Sequence, residues 1–266
     1  MSTSVECPEP TQELTMHKPR LIDRAALTLN HGLWQAVDLL LPPACIQCGS
    51  EGERWCVACQ SLTERVGLRV CRKCGKRLQK GRLCKECALH PPHYSALRSY
   101  GIYQDPLRKA ILRIKYHRDL ALGEILTGLM HQLVNEQVWD LDMILPVPIS
   151  PVKLGERGYN QVDLFARPLA WRLGLPYRTG VLSRAHEDTS QVKLTAADRR
   201  LNVAHAFQLD RPDMIRGKRI LLVDDVATTG STAEVCSGLL LDAGAGQVFV
   251  ATLARSLLRR STQEVI

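Results

Sequence analysis

The chain has 266 residues, enough for about two folding units, and 45% of its side chains are apolar and 23% charged. This composition excludes a mostly disordered chain, and no run approaches the eighteen or so apolar residues of a membrane-spanning helix. The net charge of +8 permits an anionic partner; the N-terminus is polar where a secretory signal would be apolar, so a cytoplasmic protein is expected, with its ten cysteines as metal ligands rather than disulfides.

Residues 1–20 read as a disordered tail. Residues 21–43 predict a helix with Leu27, Trp34, Val37, Leu40 and Leu41 on a broad apolar face, stopped by Pro42 and Pro43. Residues 44–90 hold eight of the ten cysteines, and Pro91 and Pro92 close that window. From 94 to 255 strands and helices alternate. A strand is predicted over 95–103. Pro106 then opens a helix in which Leu107, Ala110, Ile111 and Ile114 recur at helical spacing. A second helix covers 120–138, a short buried strand 142–147, and a polar loop reaches Gln161. A third helix ends at Leu173 before Gly174, and Pro168 inside it implies a kink or a late start. A strand over 204–209 precedes a continuous apolar run at 219–224, the mark of a strand buried on both faces. A helix over 231–241, a strand over 247–253 and a tail over 256–266 complete the chain. The alternation predicts an α/β fold, a parallel sheet flanked by helices behind a small cysteine-rich domain.

The cysteines form four C-x2-C turns: Cys45 and Cys48, Cys56 and Cys59, Cys71 and Cys74, Cys84 and Cys87. Each turn aims two thiolates at one ion, so four turns make two tetrahedral zinc sites. Short intervals favour pairing neighbouring turns over a crossed arrangement, because small loops close with less entropy loss. The window has few large apolar side chains, so structural zinc must replace burial as its source of stability. Cys7 and Cys236 lack partners at ligand spacing and are expected to be a tail thiol and a core residue.

Residues 64–87 carry nine basic side chains against Glu64 and Glu86, a surplus of +7. Four thiolates around Zn2+ reduce this to about +5. Such density suits contact with a single-stranded DNA backbone, with Lys73, Lys76, Arg77 and Lys80 as candidates, although no aromatic stacking platform accompanies it.

The chemistry is concentrated in residues 220–232, ILLVDDVATTGST. An apolar strand runs into Asp224 and Asp225, then into a loop of small and hydroxyl residues opening a helix at Ser231. A helix N-terminus offers N–H groups and the positive end of its dipole to a phosphate, and Gly230 lets the backbone approach closely. Two preceding carboxylates suit vicinal sugar hydroxyls or a bridging Mg2+. Together they describe a ribose 5-phosphate site at the C-terminal edge of a parallel strand. A receiver-type acidic pocket would put its acids on the first strand of the domain and would not need ATTGST after them.

This segment resembles the phosphoribosyl pyrophosphate (PRPP) motif of type I phosphoribosyltransferases. The wider layout resembles the ComF (competence protein F) family: VDLLLPPACIQCG entering the cysteine turns, then IKYHRDL, PVPISPVKLGERGYNQ and TSQVKLTAADRRLNVAHAF. The resemblance implies a type I phosphoribosyltransferase-like fold behind a double zinc ribbon, and PRPP bound with Mg2+. It puts Asp224 and Asp225 on the ribose hydroxyls and Ala227, Thr228, Thr229, Gly230, Ser231 and Thr232 around the 5-phosphate. Residues 148–161 would meet pyrophosphate through Arg157 and Asn160, and Lys115 matches a lysine of unassigned role. Residues 184–202 fall where these enzymes carry a mobile hood, making Arg184, Gln191, Lys193 and Arg199 candidates to close over the diphosphate. It also implies DNA uptake or DNA utilisation, with single-stranded DNA and an uptake helicase as partners. No nucleobase pocket or general base is legible, so three readings stand: a PRPP-dependent transferase, a non-catalytic PRPP sensor, and a protein-docking adaptor.

Overall fold

The computed structural model describes residues 42–184 and 206–257. The expected N-terminal tail and helix, Cys7, the far C-terminal tail, and Gln191, Lys193 and Arg199 lie outside the described residues. Two short helices, α1 (Val57–Ser61) and α2 (Lys85–Leu89), belong to the cysteine-rich region. Each starts on a C-x2-C turn, with Cys56 or Cys84 as N-cap and Cys59 or Cys87 inside. The cysteine spacing thus recurs as a repeated local structure.

The strand β1 (Ala96–Ile102) leads to α3 (Leu107–Tyr116) and α4 (Leu122–Asn135). Next come β2 (Met143–Pro146), α5 (Pro151–Arg157) and α6 (Asp163–Leu173), then the antiparallel pair β3 (Leu182–Arg184) and β4 (Phe207–Leu209). The chain continues through β5 (Arg219–Ala227), α7 (Ser231–Asp242) and β6 (Gln247–Arg255). The main sheet is parallel throughout, in the order β1-β6-β5-β2. Ile220, Leu221, Leu222 and Val223 are fully buried because helices cover both faces of β5. Leu221 and Val223 face a layer with Ile111, Met130 and Phe165; Ile220 and Leu222 face one with Cys236 and Leu240. Cys236 is therefore a core residue, and burial pushes its thiol up. Among the described residues no helix is long and apolar enough to cross a membrane.

The two zinc-ribbon segments straddle the outer strand β1. Cys45, Trp55 and Cys59 join the apolar layer on one face of the sheet, and Cys71, Cys74, Cys84 and Cys87 the layer on the other. Backbone bonds from Val66 to Tyr100, Ile102 to Glu64 and Leu97 to Lys73 cover the free edge of β1.

Three local expectations need correction. The polar loop before Gln161 contains α5, begun by Ser150, whose hydroxyl accepts from the Lys153 N–H, with Pro151 in its first turn. No α5 residue is buried, so hydrophobic periodicity could not reveal it. Strand β5 does not stop at Asp224 but runs to Ala227, paired with β6 along its length, so Ala227 is strand rather than loop. Finally, the late start that Pro168 allowed does not occur: α6 begins at Asp163 and continues through the proline. The proline denies the Leu164 carbonyl its helical donor, and Gly123 packs there, where a Cβ would lie 2.7 Å from that oxygen.

Candidate functional site

The site is built where β5 leaves the sheet. Successive strand residues point to opposite faces, so Asp224 and Asp225 reach different neighbours. The Asp225 carboxylate, 5% exposed, accepts from Lys115 Nζ at 2.9 Å on one oxygen and from Gln161 Nε2 at 2.6 Å on the other. Gln161 in turn accepts from Arg157 at 2.6 Å, and the Arg157 guanidinium lies 5.1 Å from the Tyr116 ring centre. The structure therefore joins Arg157, Gln161, Asp225 and Lys115 into one polar network from separate stretches of the chain. Lys115 acquires a role as counter-ion, and Gln161 is the member that residue-by-residue reasoning missed. Its signal was available in GERGYNQ, where it closes the run containing Arg157 and Asn160.

Asp224 is partly buried and accepts the N–H of Asp225 at 2.8 Å. Burial, reinforced by the neighbouring Asp225 charge, pushes its carboxyl up to about 7, against the opposing pull of that N–H, Lys115 and Arg184. Such an acid meets a hydroxyl either as donor or as acceptor near neutral pH.

Beyond Ala227, Thr228 and Thr229 are exposed, and Gly230, with φ of 87°, turns the chain into α7. A side chain at Gly230 would be strained by that φ, and its Cβ would lie 3.3 Å from the Tyr94 hydroxyl. The Thr229 hydroxyl accepts from the Ser231 N–H at 3.3 Å and lies 2.7 Å from the Ser231 hydroxyl. Glycine as N-cap brings no side chain over the helix end, which leaves the α7 terminus open to an anion. The Asn160 side chain donates its amide N–H to the Val147 carbonyl and accepts from the Val162 N–H, which fastens the loop. Arg184 ends β3 with its guanidinium 5.3 Å from the Phe207 ring centre.

The cysteines form two sets, Cys45, Cys48, Cys56 and Cys59, and Cys71, Cys74, Cys84 and Cys87, each with its sulfurs within 4.8 Å of one another. Neighbouring turns therefore pair, as the short intervals favoured. Sulfur separations of 3.7 Å (Cys45 to Cys56), 3.8 Å (Cys48 to Cys56) and 3.7 Å (Cys74 to Cys84) are far too long for disulfides. They match the roughly 3.8 Å edge of a tetrahedron with zinc–sulfur arms of about 2.3 Å. Backbone N–H groups of Cys56 and Cys84 point at the sulfurs of Cys45 and Cys71, as thiolate ligands require. The donor sets fit structural zinc.

The four DNA candidates separate. Lys76 and Lys80 are exposed, whereas Lys73 is half-buried with Nζ 3.5 Å from the Tyr94 carbonyl. Arg77 is committed to the fold: it donates to the Val66 and Arg65 carbonyls and to Glu64, which lowers the Glu64 carboxyl. A concavity of about 510 Å³ lies on the same ribbon, where Arg69, Arg72, Lys80 and Arg82 surround Leu68 and Leu78. Three of those four cations were absent from the sequence-based set, because only the folded ribbon gathers them.

A double zinc ribbon family model matches residues 36–88, and a phosphoribosyl transferase domain model matches residues 164–265. DNA utilization protein YhgH of Salmonella typhimurium is 34% identical over 207 residues, covering 76% of this chain and 89% of that protein. Competence protein F of Haemophilus influenzae is 32% identical over 208 residues, covering 76% and 90%. Among solved structures, the allosteric regulatory enzyme of purine biosynthesis aligns at 23% identity over 49% of this chain and 26% of that one, with a TM-score of 0.35.

Proposed function

The chain belongs to the ComF family of competence and DNA utilisation proteins, and from that premise we propose that it binds PRPP with Mg2+ and acts as a phosphoribosyltransferase-type protein in the uptake or use of DNA in the cytoplasm. One observation carries the proposal: β5 delivers two adjacent carboxylates just ahead of a Thr229-Gly230-Ser231 turn, with Val226, Ala227 and Thr228 between, at the N-terminus of α7. The turn and helix end take the 5-phosphate through N–H groups and hydroxyls. Asp224 and Asp225 take the ribose hydroxyls, and Lys115 and Gln161 hold the Asp225 carboxylate in place. Mg2+, when bound, neutralises diphosphate charge beside these carboxylates. Arg157 meets the diphosphate in this reading, supported by its link to Asp225 through Gln161. The positive charge of Arg184 already acts on the Asp224 carboxyl.

The basic concavity of the second ribbon is proposed to hold single-stranded DNA by its backbone, leaving an uptake helicase as the protein partner. PRPP with Mg2+ should raise the melting temperature, by about 2.7 kcal/mol of added stability at a hundredfold excess over Kd. Asp224→Asn combined with Asp225→Asn should abolish the rise; an unchanged rise in the double variant refutes the site. Release of pyrophosphate in the presence of bases or DNA assigns transfer chemistry, and binding without release assigns sensing.

A further inference from the structure

We propose that the second four-cysteine knuckle forms part of the phosphate site, so that its metal and a sugar phosphate on the β5–α7 turn bind with positive coupling, transmitted chiefly by Arg255 and Tyr94. This rests on reading that turn as a sugar-phosphate site.

Arg255 and Tyr94 tie the knuckle to the turn, and His93 fastens the segment after the knuckle to α7. Arg255, 7% exposed at the end of β6, donates to the Cys74 carbonyl at 2.6 Å, inside a metal-ligand turn. Its own backbone is paired with Ala227, the last residue of β5 before the turn. One residue therefore grips the metal loop and the rung from which the phosphate loop departs. Tyr94, 3% exposed, lies seven residues beyond Cys87 in the same apolar layer as Cys74, Cys87, Ala227 and Ala233. Its hydroxyl is the atom that a Cβ on Gly230 would meet, at 3.3 Å. Next to it, His93 holds Glu234 in the first turn of α7, by its backbone N–H at 3.1 Å and by Nδ1 at 2.5 Å. The first four-cysteine set has a different setting: Cys45 and Cys59 lie in the apolar layer on the opposite face of the sheet.

The physical consequence follows from ordering. Metal binding fixes the Cys74 turn, and Arg255 and Tyr94 then present the β5–α7 backbone in one geometry, lowering the cost of organising it around a phosphate. Linkage makes the effect reciprocal: a phosphate that prefers the organised turn must tighten the metal by the same factor. Arg255 and Tyr94 are positioning residues in this scheme.

The test uses the full zinc-loaded chain, an equilibrium competition with a zinc chelator, and ribose 5-phosphate as a probe that brings no divalent cation. Released thiols are alkylated and mapped by peptide mass. Saturating ribose 5-phosphate should raise the chelator concentration for half-removal of the ion on Cys71, Cys74, Cys84 and Cys87 by about fivefold or more, and leave the Cys45 set unchanged. Stripping that ion should weaken ribose 5-phosphate binding by the same factor. Arg255→Leu should bring the factor close to one, with partial recovery in Arg255→Lys; Tyr94→Phe gives the same reduction independently should Arg255→Leu fail to fold. Binding of ribose 5-phosphate that protects neither ion, or both equally, overturns the coupling while leaving the phosphate site standing. Failure of wild type to bind either ribose 5-phosphate or PRPP with Mg2+ overturns the reading of the turn itself, and the coupling with it.

Discussion

Asp224 is an acid whose setting works against its charge. Its carboxyl is pushed up to about 7, so between its ordinary value near 4 and pH 7 the folded chain binds a proton that the unfolded chain has released. The contribution of Asp224 to stability should therefore fall as pH rises from about 4 to 7, then level off. Asp224→Asn keeps an oxygen to accept the Asp225 N–H but carries no charge. The variant should lack that part of the slope and exceed wild type in stability at pH 8 by more than at pH 4. Parallel pH profiles of melting temperature for the two proteins would contradict this account. A site acid that costs stability when ionised is expected of a residue kept for binding rather than for folding.

At the scale of elements, the junction between the second ribbon and β1 is a backbone joint. Gly75 has φ of 69°, and a Cβ there would lie 2.5 Å from the Leu97 carbonyl, which is backbone and cannot swing away. Leu97 also donates its N–H to Lys73, so the two segments are fixed to each other from both sides. Gly75→Ala should cost about 2–4 kcal/mol, from the left-handed conformation and from the enforced separation of the ribbon and the strand. Chemical denaturation reads this directly, and a loss below about 1 kcal/mol would show that the joint yields easily. Arg77 belongs to the same joint. Its three bonds to Val66, Arg65 and Glu64 predict that Arg77→Ala lowers the melting temperature yet leaves the salt dependence of DNA binding unaltered.

For the whole molecule, two zinc ions per chain are expected on metal analysis, one for each set of four cysteines. One ion, or none after gentle purification, would contradict the paired arrangement. Affinity for single-stranded DNA should fall with salt at a log–log slope of about −2 to −3.5, as three to five phosphate contacts require. Replacing Arg69, Arg72, Lys80 and Arg82 with Ala should flatten that slope and weaken all sequences alike, because backbone contacts carry no base information. An unaltered slope in that variant would move the DNA surface off the second ribbon.

The sequence by itself determined the parts whose signal is local. C-x2-C turns name their ligand chemistry within four residues, and an apolar run ending in Asp224 and Asp225 before Thr229-Gly230-Ser231 describes a phosphate turn without any distant partner. The helix through Leu107, Ala110, Ile111 and Ile114 was legible because its apolar face is buried, and all four residues are fully buried. Helix α5 was not legible, since it buries nothing and is specified only by Ser150, Pro151 and Gly158 at its ends. Only the tertiary structure decided the placement of Lys115 and Gln161 on Asp225, of Arg77 in the ribbon–sheet joint, and of Arg255 on the Cys74 turn. Those contacts join residues between 11 and 181 positions apart, and a hydrogen bond of that span leaves no periodic trace along the chain. Asp225 and Arg255 meet their partners near the ends of parallel strands, where polar groups are either paired with each other or left for a ligand.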